Sequence, residues 1–155
     1  MDGYREHALD GASAVDLVVA LYDGIIRFLY NAIAAVERGD ADGRRVAVRR
    51  ALDIIMHLQA RLRMDVGGRP AKALSEFYAS IFALTLQGSQ SANKAKFEQA
   101  ISCVRNVRDA WREVAKDPTI AAGSAHAATY SASKPAENDR AESEQSVATS
   151  SSWTA

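Results

Sequence analysis

An all-α protein, built as an antiparallel four-helix bundle with an N-terminal arm and a disordered C-terminal tail, is what the residue pattern of this chain predicts. Three observations carry the prediction. Within Leu17–Leu29 and just beyond it, Val18, Leu21, Ile25, Phe28 and Ala32 recur at alternating gaps of three and four, and Tyr22, Ile26, Leu29, Ile33 and Val36 form a second row beside them. A helix apolar over that much of its surface needs neighbours on more than one side, so it reads as the central helix of a bundle. Three further segments repeat the helical period, separated by short connections marked by Gly or Asn. From Asp117 onward the composition shifts to Ala, Ser, Thr and charged residues, with Ile120, Tyr130, Val147 and Trp153 too scattered to build a core.

The chain has 155 residues, 48% of them hydrophobic, which suits one domain with a genuine core. Residues 1–12 form the expected arm, 13–116 the bundle and 117–155 the tail. Formal net charge is zero, but through Lys116 there are 17 Lys and Arg against 14 Asp and Glu, and beyond it 2 against 5. Neither part has the basic excess that captures nucleic acid. The lone Cys103 has no internal disulfide partner, and Met1-Asp2-Gly3-Tyr4-Arg5-Glu6 lacks the apolar segment of a secretion signal, so a cytoplasmic location is expected. Cys103 beside Val104 reads as a small buried hydrophobe. Asp23, Gly24, Arg27 and Asn31 interrupt the apolar surface of the first helix, and its run is expected to fall short of the roughly 20 residues that span a bilayer, so membrane insertion is not expected.

The arm is polar apart from Tyr4 and Leu9, and Gly3 and Gly11 weigh against helix there. Ser13 can cap helix one, with Asp16 three residues on. That helix runs from about Ala14 to Arg38, Gly39 ends it in the left-handed conformation, and Asp40 or Asp42 caps the next. Helix two spans about Gly43 to Met64 with Val48, Leu52, Ile55, Leu58 and Leu62 inward, and Gly67-Gly68 closes it. Its flanks carry Arg44, Arg45, Arg49, Arg50, Arg61 and Arg63, either a solvated face or a surface for an acidic or phosphate-bearing partner. Pro70 opens helix three, which places Leu74, Phe77, Tyr78, Ile81 and Leu84 inward. Phe82 and Leu86 lie off that row. Their surplus apolar surface is either a binding surface or packing against two neighbours. Asn93 caps helix four, which aligns Phe97, Ile101, Val104, Arg108 and Trp111 and ends near Lys116.

Catalytic and metal chemistry find little support. A di-iron bundle needs Glu-x-x-His pairs that are missing, and His7, His57 and His126 are far apart in sequence. One cysteine cannot build a zinc site, and neither a phosphate loop nor a nucleophile elbow is present. No enzyme activity, metal or cofactor is expected.

Several runs resemble the flagellar secretion chaperone FliS family. Tyr4 and Leu9 stand where that family carries a Tyr and an aliphatic residue. Leu21-Tyr22-Asp23-Gly24-Ile25-Ile26-Arg27-Phe28-Leu29 is close to a specific family run, and Glu37-Arg38-Gly39-Asp40 is similar to its first loop. Ile54-Ile55, then Gly67-Gly68, Ala71, Leu74, Phe77-Tyr78 and Ala110-Trp111, follow in order, so the resemblance covers roughly residues 4–114. The chain departs from the family at Ala14, where proline is usual, at Ala83-Leu84 in place of an arginine pair, and at Gly88-Ser89 in place of Ala-Asn.

The resemblance implies a cytoplasmic export chaperone that binds the carboxy-terminal segment of flagellin, prevents its premature polymerisation and delivers it to the export apparatus, with export-gate components as further partners. Grooves between helices can accept an amphipathic segment without any chemistry. On that reading the partner-binding residues are Tyr4, Leu9, Leu62, Phe77, Tyr78, Phe82 and Trp111. The arm either covers such a groove until the client arrives or is a frayed terminus. The alternative to a chaperone is a structural bundle that homodimerises through helix three.

Overall fold

The computed structural model describes the backbone of residues 2–116 and the side chains of residues 14–116 other than Val66. Four helices follow one another: α1 (Asp2–Glu37), α2 (Ala41–Ala60), α3 (Met64–Ser91) and α4 (Lys94–Ala115). The expected tail at 117–155 lies outside the described residues.

Each tight connection combines a stop and a start. Gly39, at φ +69°, ends α1 while the Asp40 amide reaches back to the Ala35 carbonyl at 2.9 Å. The Asp40 carboxylate then accepts from the Gly43 amide at 2.8 Å and caps α2, and that bond, followed by the Arg38 guanidinium, holds its carboxyl below the usual range. Between α3 and α4, Asn93 caps in the same way, accepting from the Ala95 amide at 3.0 Å. Connections this short turn each helix back on its predecessor. Contacts from Tyr30 to Arg105 and from Glu37 to Lys94 run in opposite directions along α1 and α4, which fixes those two helices as antiparallel.

Two boundaries differ from expectation. The α1 backbone is helical from Asp2, so no cap at Ser13 starts it and the segment expected as an arm continues the helix through Gly3 and Gly11. The second difference lies between α2 and α3. α2 stops at Ala60, Leu62 falls in the connection and not on the helix, and a turn at Met64–Gly67 precedes a break at Gly68 (φ 54°, ψ −136°). The regular part of α3 starts only after that glycine, with Pro70 in its first turn, where a missing N–H costs nothing.

The core is centred on α1, whose Val15, Val18, Tyr22, Ile25, Leu29 and Ala32 are buried against α2 and α4. Gly24 lets α2 come close, since a Cβ there would stand 3.1 Å from the Ile54 side chain. At the far end of α3, a Cβ on Gly88 would stand 2.9 Å from the Phe97 ring, which is buried. By length and composition Ala14–Glu37, 24 residues, could cross a membrane, so the expectation of a run too short for that is corrected; here its apolar rows are packed into the bundle.

Candidate functional site

A cluster of rings ties three helices together in the middle of the bundle. Tyr22 of α1 and Tyr78 of α3 share a hydrogen bond between hydroxyls 2.7 Å apart, and the Trp111 indole N–H of α4 donates to the Tyr22 hydroxyl at 3.2 Å. The two tyrosine rings meet edge to face at 6.2 Å, and Phe77 lies 5.6 Å from Tyr78 and 6.3 Å from Tyr22. Helical spacing on three different elements brings these rings to one level. Burial pushes the Tyr22 hydroxyl up to about 12, and that of Tyr78 higher still, so both stay protonated at any physiological pH.

Tyr78 also belongs to the floor of a groove between α2 and α3. This cavity of about 310 Å³ is lined by Ile55, Met56 and Gln59 on one side and by Ser75, Tyr78 and Phe82 on the other. Its volume is at the lower end of ordinary ligand pockets. The Gln59 amide donates to the Ser75 hydroxyl at 2.8 Å across its rim. Met56 stands 57% exposed at the lip, and Leu86, one turn beyond Phe82, is 39% exposed. An apolar trough with exposed lips can take up apolar side chains of a partner helix, with little polar desolvation to oppose it.

The sequence-derived site residues are distributed unevenly about this groove. Tyr78, 1% exposed, and half-buried Phe82 line it. Phe77 and Leu62 are half-buried and packed against the core, while Trp111 is buried in the ring cluster. The side chains of Tyr4 and Leu9 lie outside the described residues. Sequence reasoning missed Met56 and Ile55 as groove walls. A signal was present for Met56, a large apolar residue off the inward row of α2.

The opposite seam, between α1 and α4, is closed by charge. Asp23 accepts from Arg108 at 2.8 Å and lies 3.6 Å from Arg112, and Arg108, only 16% exposed, also reaches Asp109 at 3.2 Å. The Asp23 bond, with Asp109 behind it, raises the Arg108 pKa further above its ordinary value, so the guanidinium is always charged. Among the described residues, no group of three or more His, Cys, Asp or Glu could hold a metal ion.

Known proteins with similar sequences fall in one group. The profile of the family described as flagellar protein FliS matches residues 1–118. Relatives each named flagellar secretion chaperone FliS include one from Campylobacter jejuni, 28% identical over 77% of this chain and 94% of its own length. Others come from Salmonella typhimurium, 30% identical over 70% of this chain and 82% of the relative, and from Vibrio cholerae, 28% identical over 68% and 78%. The match spans all four helices and the groove between α2 and α3, and on that ground the chain belongs to the flagellar protein FliS family.

Proposed function

We propose that this protein is a cytoplasmic export chaperone that binds the carboxy-terminal segment of flagellin, keeps it from polymerising and hands it to the flagellar export apparatus. The observation that carries the reading is the open apolar groove between α2 and α3 in a member of this family. A segment that self-associates through apolar residues is kept soluble when those residues are buried elsewhere, and the groove offers them Met56, Phe82 and the edge of Tyr78. Binding of this kind needs neither catalyst nor cofactor.

Tyr4 and Leu9 act on exchange of the client in this reading, by competing for apolar surface, and a chaperone that is partly covered has its apparent affinity reduced in proportion. Deleting residues 1–10 therefore changes client affinity.

Light scattering of the full chain with and without a peptide of the flagellin carboxy-terminal segment tests the proposal. A one-to-one complex supports it. A stable homodimer indifferent to the peptide would replace it with a self-associating structural bundle.

A further inference from the structure

Along α2, Arg45, Arg49, Leu52, Met56 and Gln59 succeed one another at gaps of four, three, four and three, which puts them on one helical line. Met56 and Gln59 are walls of the groove, so the line runs out of the groove and up to the two arginines. Seven residues separate Arg49 from Met56, two helical turns or about 10 Å. On the facing helix the Gln59–Ser75 bond sets the register. Counting away from it in opposite directions brings Arg49 level with Thr85 and Leu86, and Arg45 level with Ser89.

Nothing on that stretch of α3 answers the arginines. From Phe77 to Asn93 it carries no charged side chain. Arg45 bonds to Asp42 of its own helix, both strongly exposed, whereas Arg49 is exposed and makes no ion pair among the described residues. Arg50, one residue on, points across to the Phe28 ring of α1, 5.7 Å from its centroid. At this end of the trough cationic charge thus stands on the α2 lip alone.

We propose that Arg49, supported by Arg45, is a register-setting residue for the bound segment: its partner is an amphipathic helix that places apolar side chains over Met56 and Phe82 and a carboxylate about two turns away, at Arg49. This rests on the proposed uptake of a client in the groove and adds where along the groove the client's carboxylate sits. An apolar trough alone tolerates slippage by a turn, because one aliphatic residue replaces another at small cost; a carboxylate that reaches a guanidinium in only one register removes that freedom. The pair is exposed and screened, so it decides register and rate of encounter more than total affinity.

The test is calorimetric titration of the full chain with the flagellin carboxy-terminal peptide, and with the same peptide whose Asp and Glu are replaced by Asn and Gln. Arg49→Gln should weaken binding of the acidic peptide by about three- to five-fold and Arg49→Glu by more, while Arg50→Gln leaves it unchanged. With the amide peptide all three variants should bind like the parent protein, and about 1 M salt should abolish the difference between peptides. Equal affinities for parent and Arg49 variants would overturn this inference and leave the function standing. Tighter binding by Arg49→Glu would also overturn it, since Arg49 would then be holding a competitor such as the chain's own acidic run from Glu137 to Glu144. No binding by the parent protein would overturn both.

Discussion

The seam between α1 and α4 and the seam between α2 and α3 use opposite chemistry. The first is locked by side chains that meet in one arrangement: Asp23 between Arg108 and Arg112, Tyr30 with Arg105, Glu37 with Lys94, and the Tyr22–Trp111 hydrogen bond at the centre. The second holds an apolar groove whose rim carries the Gln59–Ser75 bond, with Met56 and Leu86 left in water. Directional groups need their own partner, whereas apolar surface accepts any apolar occupant. The α1–α4 seam therefore keeps the fold, and the α2–α3 seam is free to be shared. Substitutions should separate accordingly, stability being lost on one side and binding on the other.

The largest effect is expected at Trp111. It is buried, and its indole N–H donates to Tyr22, so Trp111→Ala leaves a large cavity and takes one of two hydrogen-bond partners from the Tyr22 hydroxyl, which keeps Tyr78. A loss of about 3–5 kcal/mol in urea unfolding is expected. Full stability with weakened client binding would place Trp111 on the binding side and break the division.

Tyr22→Phe keeps the ring but deprives both Trp111 and Tyr78 of a buried partner, at a cost of about 1–3 kcal/mol. It also changes the pH profile. Tyr22 is raised to about 12 by burial, against about 10 in an unfolded chain, so its contribution is complete below pH 10 and is lost as pH rises towards 12. Tyr78 is raised too and acts in the same direction. Melting temperature measured from pH 8 to 12 should fall above pH 10, and less steeply for Tyr22→Phe, which has one such group fewer.

The bundle was largely legible because its signals are local. Gly39, Asp40 and Asn93 act within five residues of themselves, and the two apolar rows of helix one place Tyr22, Ile25 and Leu29 in the core wherever the other helices lie. The start of α1 was not, since Gly3 and Gly11 lower helix propensity by only about 1 kcal/mol each, too little to decide against continuing a helix. The groove was half legible. Periodicity divides inside from outside but does not say which seam stays open, so Tyr78 and Phe82 were picked out while Met56, exposed on the lip, was not. Leu62 was misplaced because α2 ends at Ala60, before the Gly pair expected to close it.

A milder contrast pairs Asp23→Asn with Met56→Gln. The first removes the charge between Arg108 and Arg112, but Asp23 is 44% exposed, so solvent screening limits the loss to about 1 kcal/mol, with client affinity unchanged. The second alters an exposed lip and should shift stability by less than about 0.5 kcal/mol while weakening the flagellin peptide measurably in calorimetry. If Met56→Gln bound as well as the parent, the α2–α3 groove would not be where the client sits.

Another small effect belongs to neither seam. The turns after α1 and α3 use one hydrogen-bond pattern: the left-handed residue donates to the carbonyl three residues back, at 3.1 Å from Gly39 to Val36 and 3.5 Å from Ala92 to Ser89, and the next donates five back, at 2.9 Å in both. The left-handed position is glycine after α1 but Ala92 after α3, at φ 48° and ψ 45°. A Cβ there crowds the following carbonyl at a cost of roughly 1–2 kcal/mol. Ala92→Gly relieves that and gives back part of the gain through the greater freedom of glycine in the unfolded chain, for a net stabilisation of about 0.5–1 kcal/mol. A raised urea midpoint at constant m-value is the expected result, with client affinity unchanged because the turn lies beyond the end of the groove. A lowered midpoint would mean that the Ala92 methyl makes packing contacts worth more than the relief of its backbone.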